Sequence, residues 1–408
     1  MSKVLYITYD GLTDTLGRSQ ILPYLEKLSE KGHQIHIVSL EKKERVEKDG
    51  PELKKRLAEK KMGWTYGIYS SGVPLLSQRK NLNALKKLSK NTFLKERADI
   101  VHCRSYLAAL IGLELKEKYK SKFIFDMRGF WADERVEGKL WNLRNPIYKK
   151  LFAYFKKKEL RFFNQADQVI SLTEAGKNEI LKIRGVTPIQ NIAIIPCCAD
   201  ESLFSFSSID TSKKEQLRLA LGIGEKDQVV SYLGSIGTWY MLDEMLSFFS
   251  EMYLQNKKSK FLFLTPDDPS VIKAKAVQKK IPLSSIIIRS VAREEVPLYI
   301  SISSFSIYFI RPTFSKRASS PTKMAELLFM GKPIVTNSGI GDSDTLFKNE
   351  EVGVVIDTFD PDSYRNALAQ LPPLLSKPET HFSAVAHTYF SLEKGVEAYD
   401  KIYRSLKN

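Results

Sequence analysis

Residues 311–344, RPTFSKRASSPTKMAELLFMGKPIVTNSGIGDSD, bring together side chains whose types and spacing suit anion chemistry. Arg311, Lys316, Arg317 and Lys323 supply positive charge around a helix start. Ser319 and Ser320 are good N-cap residues, and Pro321 suits the first helical position. Residues 323–330 are good helix formers, and Gly331 ends the run. A short apolar strand follows at 333–336. The start of such a helix offers open backbone N–H groups and the positive end of the helix dipole. Thr322 and Glu326, four residues apart, share one helix face. Arg311, Ser320, Pro321, Thr322, Lys323 and Glu326 would together suit a phosphate-bearing ligand with hydroxyls near the phosphate. A nucleotide sugar is such a ligand.

Three other strings carry polar groups at the ends of expected strands. DGLTDTLGRSQ at 10–20 follows the first strand, and Gly11 and Gly17 allow tight backbone there. It lacks G-x-G-x-x-G, so a dinucleotide fingerprint is not supported. Arg18 either faces the ligand side or sits in water at a helix entry. FDMRGFWADER at 125–135 is expected to be a strand end and loop carrying Asp126, Arg128, Trp131, Asp133, Glu134 and Arg135. Loops after parallel strands are where α/β folds place ligand sites. The competing reading is a self-satisfied Asp–Arg network. LGSIGTWY at 233–240 has Gly234 and Gly237 at a strand end, and Thr238 is expected to cap a helix starting near Trp239. GIGDSD at 339–344 reads as a Gly/Asp turn that borders the same region. Among the five histidines, His33 reads as surface and His36 as structural. His102, at a strand end beside Cys103 and Arg104, is the one placed to meet a ligand, and a structural role competes. No aspartate pair reads as a divalent-metal clamp, so no metal or other cofactor is expected.

The elements that must position these groups alternate. Strands are expected at 4–9, 34–40, 65–70, 100–103, 122–127, 168–172 and 191–195, with helices near 19–31, 42–61, 79–97, 105–120, 146–166 and 174–183. After a linker at 196–209 the alternation restarts, with strands at 228–233, 260–264, 285–289, 305–310, 333–336 and 353–356. Helices there include 239–255, 294–301 and 361–369. Strands separated by helices imply parallel sheets covered on both faces. Two such units imply two lobes with a ligand cleft at the carboxyl ends of the strands. A last amphipathic helix at 391–406 presents Val396, Tyr399 and Tyr403 on one face.

The 408 residues, 43% hydrophobic and 27% charged, are enough for two or three globular domains. No apolar run approaches the roughly 20 residues of a membrane span. The strand at 4–9 leaves no room for a leader peptide. Three cysteines form neither a disulfide framework nor a zinc spacing, which points to reducing cytosol. The net charge of +16 lies wholly in residues 1–195, with 38 Lys+Arg against 22 Asp+Glu; residues 196–408 hold 25 of each. Such asymmetry fits a polyanionic partner or simple solubility. No nucleic-acid-binding module is recognisable. The stretch 151–163, LFAYFKKKELRFF, reads either as an anionic-membrane face using Lys156, Lys157 and Lys158 or as a core-facing helix with a wet basic side.

The pattern S-P-x-K-x-x-E, an apolar run, then G-x-P-I/V-V resembles the donor-binding segment of the family 4 glycosyltransferases, which have the GT-B fold. Many members carry two glutamates eight apart here. The second contacts the donor ribose and corresponds to Glu326; the first falls at Ala318. The S-S-P-x-K form is similar to that of a bacterial subgroup, as is G-S-x-G-T-W-Y. Relatives often have Arg and Lys in that second string, and His or Asp in the 125–135 loop where this chain has Gly129. The resemblance implies two Rossmann-like, doubly wound α/β domains facing a cleft. Residues 1–195 with the helix at 391–408 would form the acceptor side, and 196–390 the donor-binding domain. It implies transfer of a sugar from a nucleoside-diphosphate sugar to a hydroxyl of a lipid-linked or cell-surface glycan, with retention. Such a glycan would belong to cell-surface polysaccharide or lipopolysaccharide. The enzyme would be cytoplasmic and peripheral on the inner face of the membrane. Donor contacts would come from Gly17, Gly234, Ser235, Gly237, Thr238, Arg311, Ser320, Pro321, Thr322, Lys323 and Glu326. Asp126, Arg128 and Lys323 are the candidate catalytic groups, and Arg18, His102 and Trp131 the acceptor-side ones. Two alternatives compete. A sugar-nucleotide epimerase would need acid–base carboxylates and histidines, which Ala318 and the scarcity of histidines weigh against. A non-catalytic protein would bind a nucleotide sugar or a polyanion without turnover.

Overall fold

A computed structural model describes residues 1–187 and 191–407, the side chain of residue 74 excepted. Residue 408, the end of the expected 391–408 element, lies outside them. Two sheets form, and every pairing in them is parallel. The first holds β1 (Lys3–Thr8), β2 (Gln34–Glu41), β3 (Gly63–Ile68), β4 (Ile100–Arg104), β5 (Lys122–Asp126), β6 (Gln168–Ser171) and β7 (Ile192–Ile194). The second holds β8 (Val229–Leu233), β9 (Lys260–Leu264), β10 (Ile286–Arg289), β11 (Phe305–Ile307), β12 (Ile334–Asn337) and β13 (Gly353–Ile356). The central strands are near-continuous apolar runs because helices cover both of their faces.

The strand orders are β3-β2-β1-β4-β5-β6-β7 and β10-β9-β8-β11-β12-β13. In each sheet the order reverses once, between β1 and β4 and between β8 and β11. Ligands in open α/β sheets bind outside the carboxyl ends of the strands at such a reversal. The loops after β1, β4, β8 and β11 are therefore where sites are to be sought.

The chain divides into two compact units, Met1–Cys198 with Leu392–Asn408, and Ala199–Ser391. The closing helix Leu392–Lys407 buries Val396, Tyr399, Ile402 and Tyr403 in the first unit. Each such side chain contributes about 1.5–3 kcal/mol on burial. His33, expected at the surface, is instead buried, with its ring 2.7 Å from Asp400 of this helix.

Several boundaries differ from the sequence expectation for local reasons. The helix expected over 19–31 is two, Thr15–Gln20 and Leu22–Glu30. Pro23 lacks the N–H that would continue the first helix, and its ring would meet the carbonyl four residues back. Residues 131–135, expected in a loop, open the helix Trp131–Glu137, which has Asp133 and Glu134 in its positive first turn. The basic helix Pro146–Gln165 buries Phe155, Phe162 and Phe163, and Lys156 bonds Asp133 at 2.9 Å and Glu159 at 2.5 Å. That part of 151–163 is core-facing.

Candidate functional site

In the second unit the helix Thr322–Phe329 runs from the expected segment, but one residue later at its start. Pro321 is the N-cap, with φ −67° and ψ 118°, and is not the first helical residue. Gly331 closes the helix in the left-handed region at φ +68°. The N–H groups of Thr322 and Lys323 lie at its open end. Lys323 does not extend into water. Its ammonium lies 3.6 Å from the Tyr240 ring centroid, 4.4 Å from Tyr232 and 5.9 Å from Tyr308. It donates to Tyr232 Oη at 3.3 Å.

Gly234 completes this cage. Its φ of +112° favours glycine, and a Cβ there would stand 3.1 Å from Lys323 Nζ. Burial pushes the Lys323 ammonium down to about 7, with nearby Glu326 opposing. The electron-rich ring faces also oppose burial by favouring the cation. A lysine held this way gains most when a phosphate arrives to pair with it.

Glu326, one turn further in, is buried and accepts from Arg293 Nη2 at 2.8 Å. Arg293 also stacks over the Phe204 ring at 5.2 Å. Lys316 covers the Trp239 ring at 3.8 Å. Arg311 is exposed, and its backbone N–H donates to Trp239 O at 2.9 Å. Ala318 is buried in the turn Phe314–Ala318.

The loop after β8 is held from several sides. Asp267 accepts from Ser235 Oγ at 2.7 Å and from the Ile236 N–H at 2.6 Å. Tyr240 bridges Ile310, and the Met241 N–H donates to Phe309 O at 3.0 Å. Thr238 does not cap a helix. The next helix, Leu242–Gln255, starts later, and Thr238 sits at φ +48°. A β-branched residue in that region costs on the order of 1–3 kcal/mol, which the surrounding bonds sustain. Such strain gathers at ligand-binding turns. The loop at 339–344 touches the same region, with the Gly341 N–H donating to Lys316 O at 2.9 Å. Lys323, Glu326, Gly234, Ser235, Gly237, Thr238 and Arg311 thus lie on elements joined directly by these contacts.

In the first unit, Glu41 at the end of β2 organises the loop after β1. Its buried carboxylate accepts from the N–H groups of Leu12 and Thr13, Thr13 Oγ1 and Ser39 Oγ at 2.5–3.1 Å. Gly17 packs against this loop: a Cβ there would come within 2.5 Å of Leu12 Cα. Arg18 pairs with Asp49 of the helix Lys43–Glu59 at 2.7 Å.

Asp126, Arg128 and His102 form one buried cluster with the closing helix. Asp126 Oδ2 accepts from Tyr399 Oη at 3.2 Å, and His102 Nδ1 meets Tyr403 Oη at 2.7 Å. Arg128 donates to Cys197 Sγ at 3.0 Å and lies 3.8 Å from Asp126. Burial pushes the Asp126 carboxyl up, but Arg128, His102 and Arg104 outweigh it and hold the group below the usual carboxylate range. Burial lowers His102 and so favours the neutral ring, with Asp126 opposing. Arg128 and Ser105 are strained at φ +59° and +67°, each at the end of a strand in this sheet.

Trp131 lies on the wall of a pocket of about 500 Å³ shared with Tyr9, Tyr69, Leu75, Trp141 and Tyr148. The Arg135 guanidinium covers the Trp131 ring at 4.9 Å. Among the described residues no group of three or more metal-ligating side chains comes together.

Residues 21–203 match the model for Glycosyltransferase Family 4. No curated protein matches the chain. Solved structures resemble it over nearly its whole length. Sucrose-phosphate synthase from Thermosynechococcus elongatus has a TM-score of 0.74 at 13% identity, covering 100% of this chain and 99% of that one. A glycosyltransferase from Rickettsia africae has 0.72 at 15%, covering 100% and 99%. HepE of Anabaena, solved with UDP and glucose, has 0.70 at 12%, covering 99% and 100%. The fold is GT-B.

Sequence reasoning overlooked several residues that build these clusters. Tyr232, Tyr240 and Tyr308 read as core aromatics, because nothing in their spacing says which lysine they will surround. Arg293 and Asp267 lie in connectors without a motif. Glu41 carried a faint signal, being a carboxylate just after the expected strand at 34–40.

Proposed function

We propose that the protein is a glycosyltransferase that moves a sugar from a nucleoside-diphosphate sugar to a hydroxyl acceptor. One observation carries this reading: Lys323, desolvated among three tyrosines, stands at the start of the helix whose next turn holds Glu326 beside Arg293. As the glycosidic bond breaks, oxocarbenium character grows on the sugar and charge grows on the departing diphosphate. A preorganised ammonium and open helix N–H groups stabilise that charge without reorganising. Arg311 adds longer-range attraction. Glu326 accepts from the ribose hydroxyls, sharing its carboxylate with Arg293. Protein groups neutralise the diphosphate without a divalent ion.

The serine-rich S-S-P-x-K form is read as the donor motif of this chain. Asp126 and Arg128 enter as supports of the strained turn after β5, acting through the backbone. Retention of anomeric configuration and a cell-surface glycan acceptor follow the family resemblance. Incubation with a panel of nucleotide sugars, UDP-glucose among them, tests the reading by release of nucleoside diphosphate. Calorimetry showing no affinity for any nucleoside diphosphate overturns it.

A further inference from the structure

Two carboxylates sit at matching places in the two sheets. Glu41 ends β2, the strand beside β1, and Asp267 follows β9, the strand beside β8. Each accepts hydrogen bonds from the loop after the neighbouring strand. The surroundings differ. Glu41 is fully buried and takes four donors, and a Cβ at Gly11 would stand 2.7 Å from its Oε2, so that loop is closed directly on the carboxylate. Asp267 is half-buried, and among the described residues its carboxylate bonds Ser235 Oγ at 2.7 Å and the Ile236 N–H at 2.6 Å and nothing else. Both of these bonds fall on Oδ2. Ser235 itself is exposed.

An exposed hydroxyl and a backbone N–H at the end of the first strand of an α/β sheet are anion-binding groups. Here the anion they hold is the protein's own. The same turn is linked to Lys323. Its ammonium donates to Tyr232 Oη at 3.3 Å, and Tyr232 Oη donates to Ser235 O. Gly234 backs onto the ammonium, and Thr238, three residues past Ser235 Cα's neighbour Gly234 and beyond Gly237, holds a strained φ of +48°. A diphosphate arriving at Lys323 meets the Ser235–Ile236 turn with its donors already taken. It carries more charge than one carboxylate and also reaches the open end of the helix Thr322–Phe329, so it competes well for them. Asp267 and the diphosphate cannot share the two donors without like charges in contact.

We propose that Asp267 is a built-in anion that keeps the nucleotide's place. It holds Ser235 Oγ and the Ile236 N–H before the donor binds, yields them to the diphosphate, and takes them back as the nucleoside diphosphate leaves. Asp267 thereby lowers affinity and speeds release of the product, without touching the reacting atoms. The inference rests on the nucleotide reading of this site.

Calorimetric titration with UDP and with inorganic pyrophosphate, on wild type, Asp267→Ala and Asp267→Asn, tests it. Asp267→Ala should tighten both ligands about tenfold, because it removes a competitor for two donors and a like charge beside the diphosphate. Asp267→Asn keeps an acceptor without the charge and should tighten them less. Ser235→Ala should cost several-fold in the Asp267→Ala background and little in wild type, where it removes a partner of the carboxylate as well as of the phosphate. In a transfer assay Asp267→Ala should be inhibited more strongly by nucleoside diphosphate and turn over more slowly at saturating donor. Affinity that is unchanged or weaker in folded Asp267→Ala overturns the proposal and makes Asp267 a clamp that shapes the turn. Where the alanine variant does not fold, Asp267→Asn decides by the same sign. If pyrophosphate binds the variants more tightly but UDP binds none of the proteins, the displaceable carboxylate stands and the nucleotide reading falls. If neither ligand binds wild type or variant, both fall.

Discussion

Replacing Lys323 with Met should make the second unit more stable while damaging its binding function. Burial takes the ammonium from 10.5 down to about 7. At roughly 1.4 kcal/mol per unit this sets a ceiling of about 5 kcal/mol on the cost of keeping the ammonium charged. Cation–π contacts with Tyr240 and Tyr232 return about 1–2 kcal/mol. Met keeps the aliphatic stem and makes favourable sulfur–ring contacts. The net gain for Lys323→Met at pH 7 is therefore at most about 3–4 kcal/mol. Its pH dependence has a definite sign. Between pH 7 and 10.5 the unfolded chain holds the lysine proton and the folded chain does not, so wild-type stability rises with pH across that window. The advantage of the variant is thus largest below pH 7 and fades towards pH 10.5. Nucleoside diphosphate affinity should fall by about 1.5–3 kcal/mol, the range for a charge-assisted hydrogen bond. Denaturant unfolding at several pH values, beside calorimetric titration with UDP, measures both effects. A variant that is less stable at pH 7 and binds UDP as wild type does would show that the tyrosine cage is structural.

Glu326→Ala should weaken nucleoside diphosphate binding by about 1.5–3 kcal/mol in calorimetry on folded protein, and unchanged affinity would remove Glu326 from the site. Glu41→Ala leaves the donors on Leu12, Thr13 and Ser39 without their acceptor, so scanning calorimetry should show the first unit destabilised by about 3–5 kcal/mol. EDTA should leave sugar transfer largely intact, whereas loss of turnover with rescue by a divalent ion would assign the diphosphate charge to a metal.

The alternating strands and helices were legible in the chain because buried parallel strands are short, apolar and separated by helical stretches. The anion-binding helix start was legible for a similar local reason. Proline, serine and glycine at 319–331 mark its ends, and Thr322 and Glu326 fall on one face by helical period alone. Boundaries were missed where a single residue acts against the local pattern, as Pro23 does within the expected 19–31 helix. The helix Trp131–Glu137 was missed because its seven residues are too few to show a period.

Which partners these groups meet was decided only by the tertiary structure. The tyrosines at 232, 240 and 308 reach Lys323 because β8 and β11 are neighbours in the sheet, a pairing of residues some 75 positions apart. Arg293 reaches Glu326 across 33 residues. His102 and Asp126, at strand ends, read in the sequence either as ligand-facing groups or as structural ones. The closing helix brings Tyr399 and Tyr403 onto them from almost 300 residues away and buries both. Local sequence fixes backbone preferences within a few residues, through sterics and hydrogen bonding. The burial and charge state of a side chain depend on what the folded chain brings against it from afar.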